Sequence, residues 1–565
     1  MRINPINLAA ASILLATTTA ANAGDIFVNA ANNLQAVINS ASDGDRIILQ
    51  PGFDYNQTIT ITGKSLTIEG ETGSDNITMT GNFLNDTVIV IYDAPEPGVT
   101  IRSITIRDGR TPSSGSAVGY PYDGGGLYAE HSTLLLEDVV FTANHANDDG
   151  GGAYFEQCDT TLIDCHFVSN TSGDSGAGML AGGTTGSIDV TNCTFEDNEA
   201  DGTGGGSYFS SPFIIRNSTF TNNRAIDDGR GGAVRLAGAI TGTFEDCTFD
   251  RNQCDLTGGA IDTTSAGNYT FRGCDFTENT AEGPGADGGA MMYDGPAVTF
   301  DDCTFTRNTS LDNGGAVYAI TNLNVYNSRF YGNTATRGGG FRVFGSTVNV
   351  DNSVFVGNTA FAYGGAIYAA NTSGRCTVRN STMVANIGDL NQGGIGGQPS
   401  GTRVRTVTNC IAWDNLPAPT AIFGGPITYS NISTGGDVVP GTGNIIEAPL
   451  FISAPSAGAD MMWGTADDNY GDLRLAAGSP GIDAGDSPTV LDMLADADGN
   501  SRCVDDPMMA NTGVIAWDLN VDMGAFEYQP EPAGPTCPGD VTNDGIVNFT
   551  DLDLLLANWN TVCDE

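Results

Sequence analysis

Asn192-Cys193-Thr194-Phe195-Glu196-Asp197-Asn198 decides the fold, because the pattern it carries returns along the chain. The pattern is Asn or Asp, then Cys or Ser, then a triplet centred on an apolar residue, closed by Asn. Its apolar centre falls at Phe141, Phe167, Phe195, Phe220, Phe249, Phe276, Phe305, Phe330 and Phe355, with Met383 in the tenth copy. Three residues after each stands an asparagine: Asn144, Asn170, Asn198, Asn223, Asn252, Asn279, Asn308, Asn333, Asn358 and Asn386. Between copies lies a Gly-Gly-type step, ending at 126, 152, 178, 206, 232, 259, 289, 315, 340, 365 and 394. A short apolar strand follows each step, as in Gly314-Gly315-Ala316-Val317-Tyr318, and a second alternating strand follows that.

The steps are 25 to 30 residues apart, which marks a repeat architecture. Three short strands per repeat, separated by Gly and Asn corners, have too little connecting chain for a flat sheet. They can wind into one rung of a prism, hydrogen-bonded to the next rung at about 4.8 Å. Equivalent residues then stack, so the Phe positions form an inner column and the Asn positions turn the corner and bond along the ladder. An apolar period near two, with many β-branched residues, excludes an amphipathic helix. A propeller blade of about 40 residues or more does not fit the spacing. Cys165, Cys193, Cys247, Cys274 and Cys303 share a slot filled elsewhere by Ser218, Ser328, Ser353 and Ser381. That exchange reads as a small packing residue, not a disulfide framework.

Ahead of the repeats, Leu34, Val37 and Ile38 share one face of an expected helix from Asn33 to Ser40, followed by a strand from Arg46 to Gln50. Strands near Ile59, Ile68, Ile77, Val88 and Ile101 would form the first coils. The Gly-Gly-Ala-x-Tyr and Asn-Cys-Thr-Phe-x-x-Asn repeats resemble those of the polymorphic-outer-membrane-protein and pectin-lyase-like β-helix families. The resemblance implies an all-β chain: a right-handed parallel β-helix over 24–415, three strands per coil, its open end covered by an N-terminal cap helix. It fixes no activity, because this architecture hosts lyases, hydrolases, adhesins and structural proteins alike.

The flanks speak to location. Arg2, the apolar run from Leu8 to Ala16, and Ala21-Asn22-Ala23 have the form of a signal peptide over 1–23. No later stretch approaches about 20 uninterrupted apolar residues, so no membrane span is expected. The formal charge of −45 disfavours nucleic acid and anionic membranes, and favours calcium and neutral or cationic surfaces. The expected location is extracellular or at the cell surface.

Over 416–529 the repeat loosens into phrases such as Ser479-Pro480-Gly481-Ile482-Asp483-Ala484-Gly485 and Val521-Asp522-Met523-Gly524-Ala525-Phe526-Glu527. These resemble the closing segment of bacterial surface β-helices, and imply irregular last coils and a C-terminal cap. Asp496-Ala497-Asp498-Gly499-Asn500 is too short for a full cation loop and reads as a solvated turn. A Pro-rich linker at 530–536 precedes a small unit at 537–565. There Asp540, Thr542, Asp544, Ile546 through its carbonyl, Asn548 and Asp551 take positions 1, 3, 5, 7, 9 and 12 of an EF-hand-type loop, with Gly545 at position 6. Cys537 and Cys563 flank the unit and are placed to staple so small a core. The unit resembles half of a dockerin, which implies bound Ca2+ and a cohesin-like or other surface tether. Thr542, where Asn or Asp is usual, and the missing second half depart from that family.

No catalytic group emerges. His131, His145 and His166 lack the Gly-His-Gly context of polygalacturonase-type hydrolases, and no lyase motif surrounds Arg216, Arg224, Arg230, Arg235 or Arg251, which read as exposed corner residues. Two surface patterns remain. Asp149, Asp174, Asp201, Asp228, Asp255, Asp287 and Asp312 precede the glycine steps. Stacked, such carboxylates would repel by roughly 1 kcal/mol per neighbour even in water, a strain that calcium would relieve. Phe155, Phe209, Tyr318 and Tyr368, third after their steps, either face outward where they could stack on sugar rings or pack under the long loops. The leading expectation is a non-enzymatic secreted or cell-surface protein acting in adhesion or glycan contact, tethered through its calcium loop. The alternative is an extracellular polysaccharide lyase or glycoside hydrolase.

Overall fold

The computed structural model describes residues 24–530, except 72–76, 83, 113–121, 264–266, 346, 370–374, 390–391, 398–403, 418–425, 434–438 and 517–519, together with residue 552. The repeats wind into a parallel β-solenoid. One rung shows the plan: Val317–Ala319, Asn322–Tyr326, Arg329–Tyr331 and Thr334–Arg337. The first of these joins a 13-stranded sheet, the next two a 28-stranded sheet, and the last a 10-stranded sheet. The one antiparallel strand pair among the described residues is Phe451–Ser453 with Asp472–Leu475.

Corners follow from backbone chemistry. Asn327 lies between the second and third strands at φ 51°, and Asp302 and Asn352 repeat this one rung to either side. Asn and Asp tolerate this left-handed conformation better than other side chains. Gly314 turns the corner into the first strand at φ 65°, where a Cβ would strike the Val317 carbonyl oxygen. A Cβ on Gly315 would strike the Gly339 carbonyl of the next rung, so the doublet is a steric requirement.

The core is a set of columns. Phe141, Phe167, Phe195 and Phe220 stack nearly parallel, with centroids 4.6–4.8 Å apart. The stack continues to Phe355 with the same geometry. Beside it runs an amide ladder. The Asn308 side-chain N–H donates to Asn333 Oδ1 at 2.9 Å and to the Phe276 carbonyl at 2.9 Å, and its backbone N–H donates to the same Asn333 oxygen. This arrangement runs from Asn144 to Asn415, and it satisfies buried amides that would otherwise be costly.

Two features exceed the sequence reading. Each of the ten rungs from Asn144 to Asn386 carries a fourth strand of two or more residues after the ladder asparagine, such as Thr309–Ser310, whose second residue is small and buried. The Cys/Ser slot also does more than pack. The Ser328 hydroxyl accepts from Cys303 N–H and donates to the Tyr326 carbonyl, and the Cys193 sulfur accepts from Cys165 N–H. Cys and Ser interchange there because both accept and donate. Ten cysteines among the described residues form no disulfide, nine of them buried; Cys537 and Cys563 lie outside the described residues, as do the expected leader 1–23 and the calcium-loop positions.

The helix Leu34–Ser40 starts at Asn33, whose side chain accepts from Ala36 N–H, and it buries Leu34 and Ile38. At the other end, Ile427–Thr428 and Asn431–Ile432 add a last rung. From 451 the chain turns back along the side of the solenoid. Leu473, Ala497, Ala525 and Phe526 cluster with Val354, Val356 and Val384. Tyr470 stacks on Tyr331 at 4.7 Å, and Arg329 reaches Asp498 at 2.8 Å. Buried Arg502 joins the two parts, donating to Asn352 Oδ1 and to the Ala525 carbonyl. Asp496, read as part of a solvated turn, is instead buried. Its carboxylate accepts from the N–H groups of Asp498, Asn500 and Glu527, so it ties the returning segment together.

Candidate functional site

Two regions of the surface gather chemically competent side chains. The first is the outer face of the 13-stranded sheet. Register places Tyr128, Tyr154, Leu180, Tyr208, Arg235, Asp262, Met292, Tyr318, Arg342 and Tyr368 in one outward column. Phe155 and Phe209, for which the sequence leaves an outward face and packing under the loops both open, face inward and are fully buried. The corner motif is three small residues, as in Gly150-Gly151-Gly152 and Gly314-Gly315-Ala316. Counting from its second member in some coils and its third in others shifts the register by one, and one residue exchanges the faces of a strand.

Four of the outward rings are already engaged on one face. Tyr128 and Tyr154 stack on each other at 5.4 Å. Arg342 sits 5.2 Å from the Tyr318 ring centre and 5.6 Å from that of Tyr368. Arg235 is not an exposed corner residue: it pairs with Asp262, whose side chain is wholly buried. Burial holds its guanidinium below the ordinary value.

The seven aspartates do not form one column. The position before the first corner glycine is taken in successive rungs by Thr203, Arg230, Thr257, Asp287, Asn313 and Arg337. Rungs differ in loop length, so counting back from glycine mixes positions. What the structure does assemble is a local trio: Asp148, Asp149 and Asp174 each offer an oxygen within 4.8 Å of the others. Burial, then Asp123, Asp148 and Asp174, push the Asp149 carboxyl up to about 7, and burial pushes Asp123 up to about 6.

The second region is a pocket of about 400 Å³ where the returning segment leans on the 28-stranded sheet. Its floor is one register column across four rungs: Asp301, Tyr326, Asp351 and Arg379. Asn327 and Asn352 line one side, and Asp492, Met493, Leu494 and Ala495 of the returning segment form the wall. Nothing in the sequence marked this site, because it joins residues more than a hundred positions apart. The only signal was the recurrence of a polar residue ending the second strand of each rung.

Three overlapping matches to the family model described as right handed beta helix region span residues 125–288, 210–383 and 285–409, together just over half of the chain. The chain belongs to this right-handed β-helix family. A solved structure described as the crystal structure of pectate lyase Pel9A is similar to this β-helix over 90% of this chain and 96% of that chain. The identity is 12% and the TM-score 0.24. No curated protein matches the chain. Among the described residues no helix is long and apolar enough to cross a membrane.

Proposed function

We propose that this β-helix is a secreted or cell-surface protein that contacts glycans through the pocket at Tyr326, and is tethered through the calcium loop at Asp540 to Asp551. The observation that carries the reading is the make-up of that pocket. An aromatic side chain, carboxylates and amides converge in an open cavity beside the apolar residues Met493 and Leu494, the mixture that polyhydroxylated ligands require. The expected calcium ligands Asp540, Thr542, Asp544, Ile546, Asn548 and Asp551 supply the tether in this reading. Affinity electrophoresis of the mature protein through gels containing single polysaccharides tests it. Retardation that Tyr326→Ala abolishes supports the reading, and free migration in every gel refutes it.

Carbohydrate cleavage is the second reading, favoured by one observation. With burial pushing Asp149 up to about 7, its carboxyl retains a proton near neutrality, as a general acid must. Shortened chains after incubation, lost in Asp149→Asn, would establish it.

A further inference from the structure

We infer that the Tyr326 pocket selects glycans bearing amino groups and rejects those bearing uronic acids; the inference rests on the glycan-contact reading above. The argument starts from hydrogen-bond accounting. Among the described residues Arg379 is the only cation lining the pocket, and its donors are already taken. Its Nε and Nη2 grip the two oxygens of Asp351 at 2.8 and 2.7 Å. Its Nη1 donates to the Thr489 carbonyl at 3.0 Å and to Asp492 at 3.1 Å, and Nη2 also reaches Asp492 at 3.3 Å. A planar guanidinium has five N–H groups, and these contacts leave none for an incoming carboxylate.

Most of the amide donors are committed as well. The Asn327 side chain donates to Asp301 at 2.8 Å, and that of Asn352 donates to the Ala495 carbonyl at 2.8 Å and to Asn327. Acceptors remain in excess. Asp301 receives a side-chain hydrogen bond on one oxygen only. The Asp492 carboxylate, 66% exposed, meets only the shared guanidinium. Three carboxylates face one cation, in a chain of net charge −45, so an anionic ligand meets repulsion and no uncommitted cationic donor, the Tyr326 hydroxyl and the second Asn327 N–H being neutral. An ammonium group meets acceptors already in place. The four-rung floor, about 14 Å long at the rung spacing, allows successive sugars to meet Asp301 and Asp492 together.

Calorimetric titration of the full chain at mildly acidic pH, where amino sugars are protonated and ordinary carboxylates ionised, decides the point. The probes are glucosamine oligomers, neutral cello-oligosaccharides and galacturonate oligomers of equal length. The expected order is glucosamine tightest, by about tenfold over the neutral oligomer, with galacturonate undetectable. Asp301→Asn with Asp492→Asn should remove that tenfold preference, read as the ratio of glucosamine to neutral-oligomer affinity in the same variant. Asp301→Asn alone, which leaves the Arg379 contacts intact, should remove part of it. Galacturonate binding as tightly as glucosamine, or a preference that survives both substitutions, overturns the inference while leaving glycan contact standing. Failure of all three probes to bind overturns both.

Discussion

Arg379 holds Asp351 with two parallel hydrogen bonds of 2.8 and 2.7 Å, and with its remaining donors holds Asp492 and Thr489 of a segment more than a hundred residues away in sequence. A paired geometry of this kind is stronger than a single contact and orients both partners. It lies at the seam between the solenoid and the returning segment. Arg379→Met should therefore loosen the segment without unwinding the rungs, at a cost of about 2 kcal/mol in docking. Limited proteolysis should show early cleavage near 490 in the variant. Equal protease resistance in variant and parent would show that the seam is held elsewhere.

The aromatic stack makes a sharper demand on the solenoid itself. Phe249 lies between Phe220 and Phe276, with ring centres 5.0 and 4.7 Å away. Phe249→Ala should cost about 3–5 kcal/mol, because parallel rungs on both sides prevent collapse into the gap. Asn279→Ala removes one amide of the ladder and leaves the Asn252 donors and the Phe249 carbonyl unanswered; a loss of about 2 kcal/mol or more is expected. Urea unfolding monitored by circular dichroism measures both. A loss under about 1 kcal/mol in either would mean that the rungs relax more than their spacing implies.

Acidity should stabilise this protein. Burial raises Asp149 and Glu527 to about 7, and Asp123, Asp287 and Asp483 to about 6, all above their ordinary values. A carboxyl raised in the folded state favours folding while protonated. Its contribution is complete below the ordinary carboxyl range and is lost as pH rises through the folded value. The unfolding midpoint should thus fall between about pH 4 and pH 7 and level off above that window. Glu527→Gln and Asp149→Asn should flatten the decline. A midpoint that rises across the window would contradict the assignment.

Calcium should bind at the C-terminal loop first. In the full-length protein, Asp540→Ala with Asp544→Ala should abolish the tight phase of a calcium titration, because two charged ligands of one loop are lost. A weaker phase that survives, and disappears on adding Asp149→Asn, would place further cations at Asp148, Asp149 and Asp174. Unchanged tight binding in the double variant would remove the loop from consideration.

The solenoid was legible from residues because its signals are local and repeated. Phe249 and Asn252 report the inner face and the corner of their own rung, and the same spacing restates that message in every copy. Legibility failed where it depended on parity or on distant contact. Phe155 reads as outward only if the corner motif is two residues long, and the third small residue reverses it. The two-residue strand after each asparagine is shorter than any periodic signal. Its trace was the small residue two places on, at Ala146, Ser172, Ala200, Ala225 and Cys254. The Tyr326 pocket left a trace only in the polar residues that end the second strands, since Leu494 and Tyr326 meet only after the chain has reversed along its own side.

The amide ladder has a direction, since each asparagine gives to the next rung and receives from the one before through the same two groups. Any rung thus offers its predecessor the same acceptor that it fills on its successor. A whole repeat can be duplicated or excised between equivalent asparagines without creating an unmatched joint. Length is thereby uncoupled from folding, and the distance this molecule spans becomes a heritable quantity that gene duplication can adjust in steps of one rung.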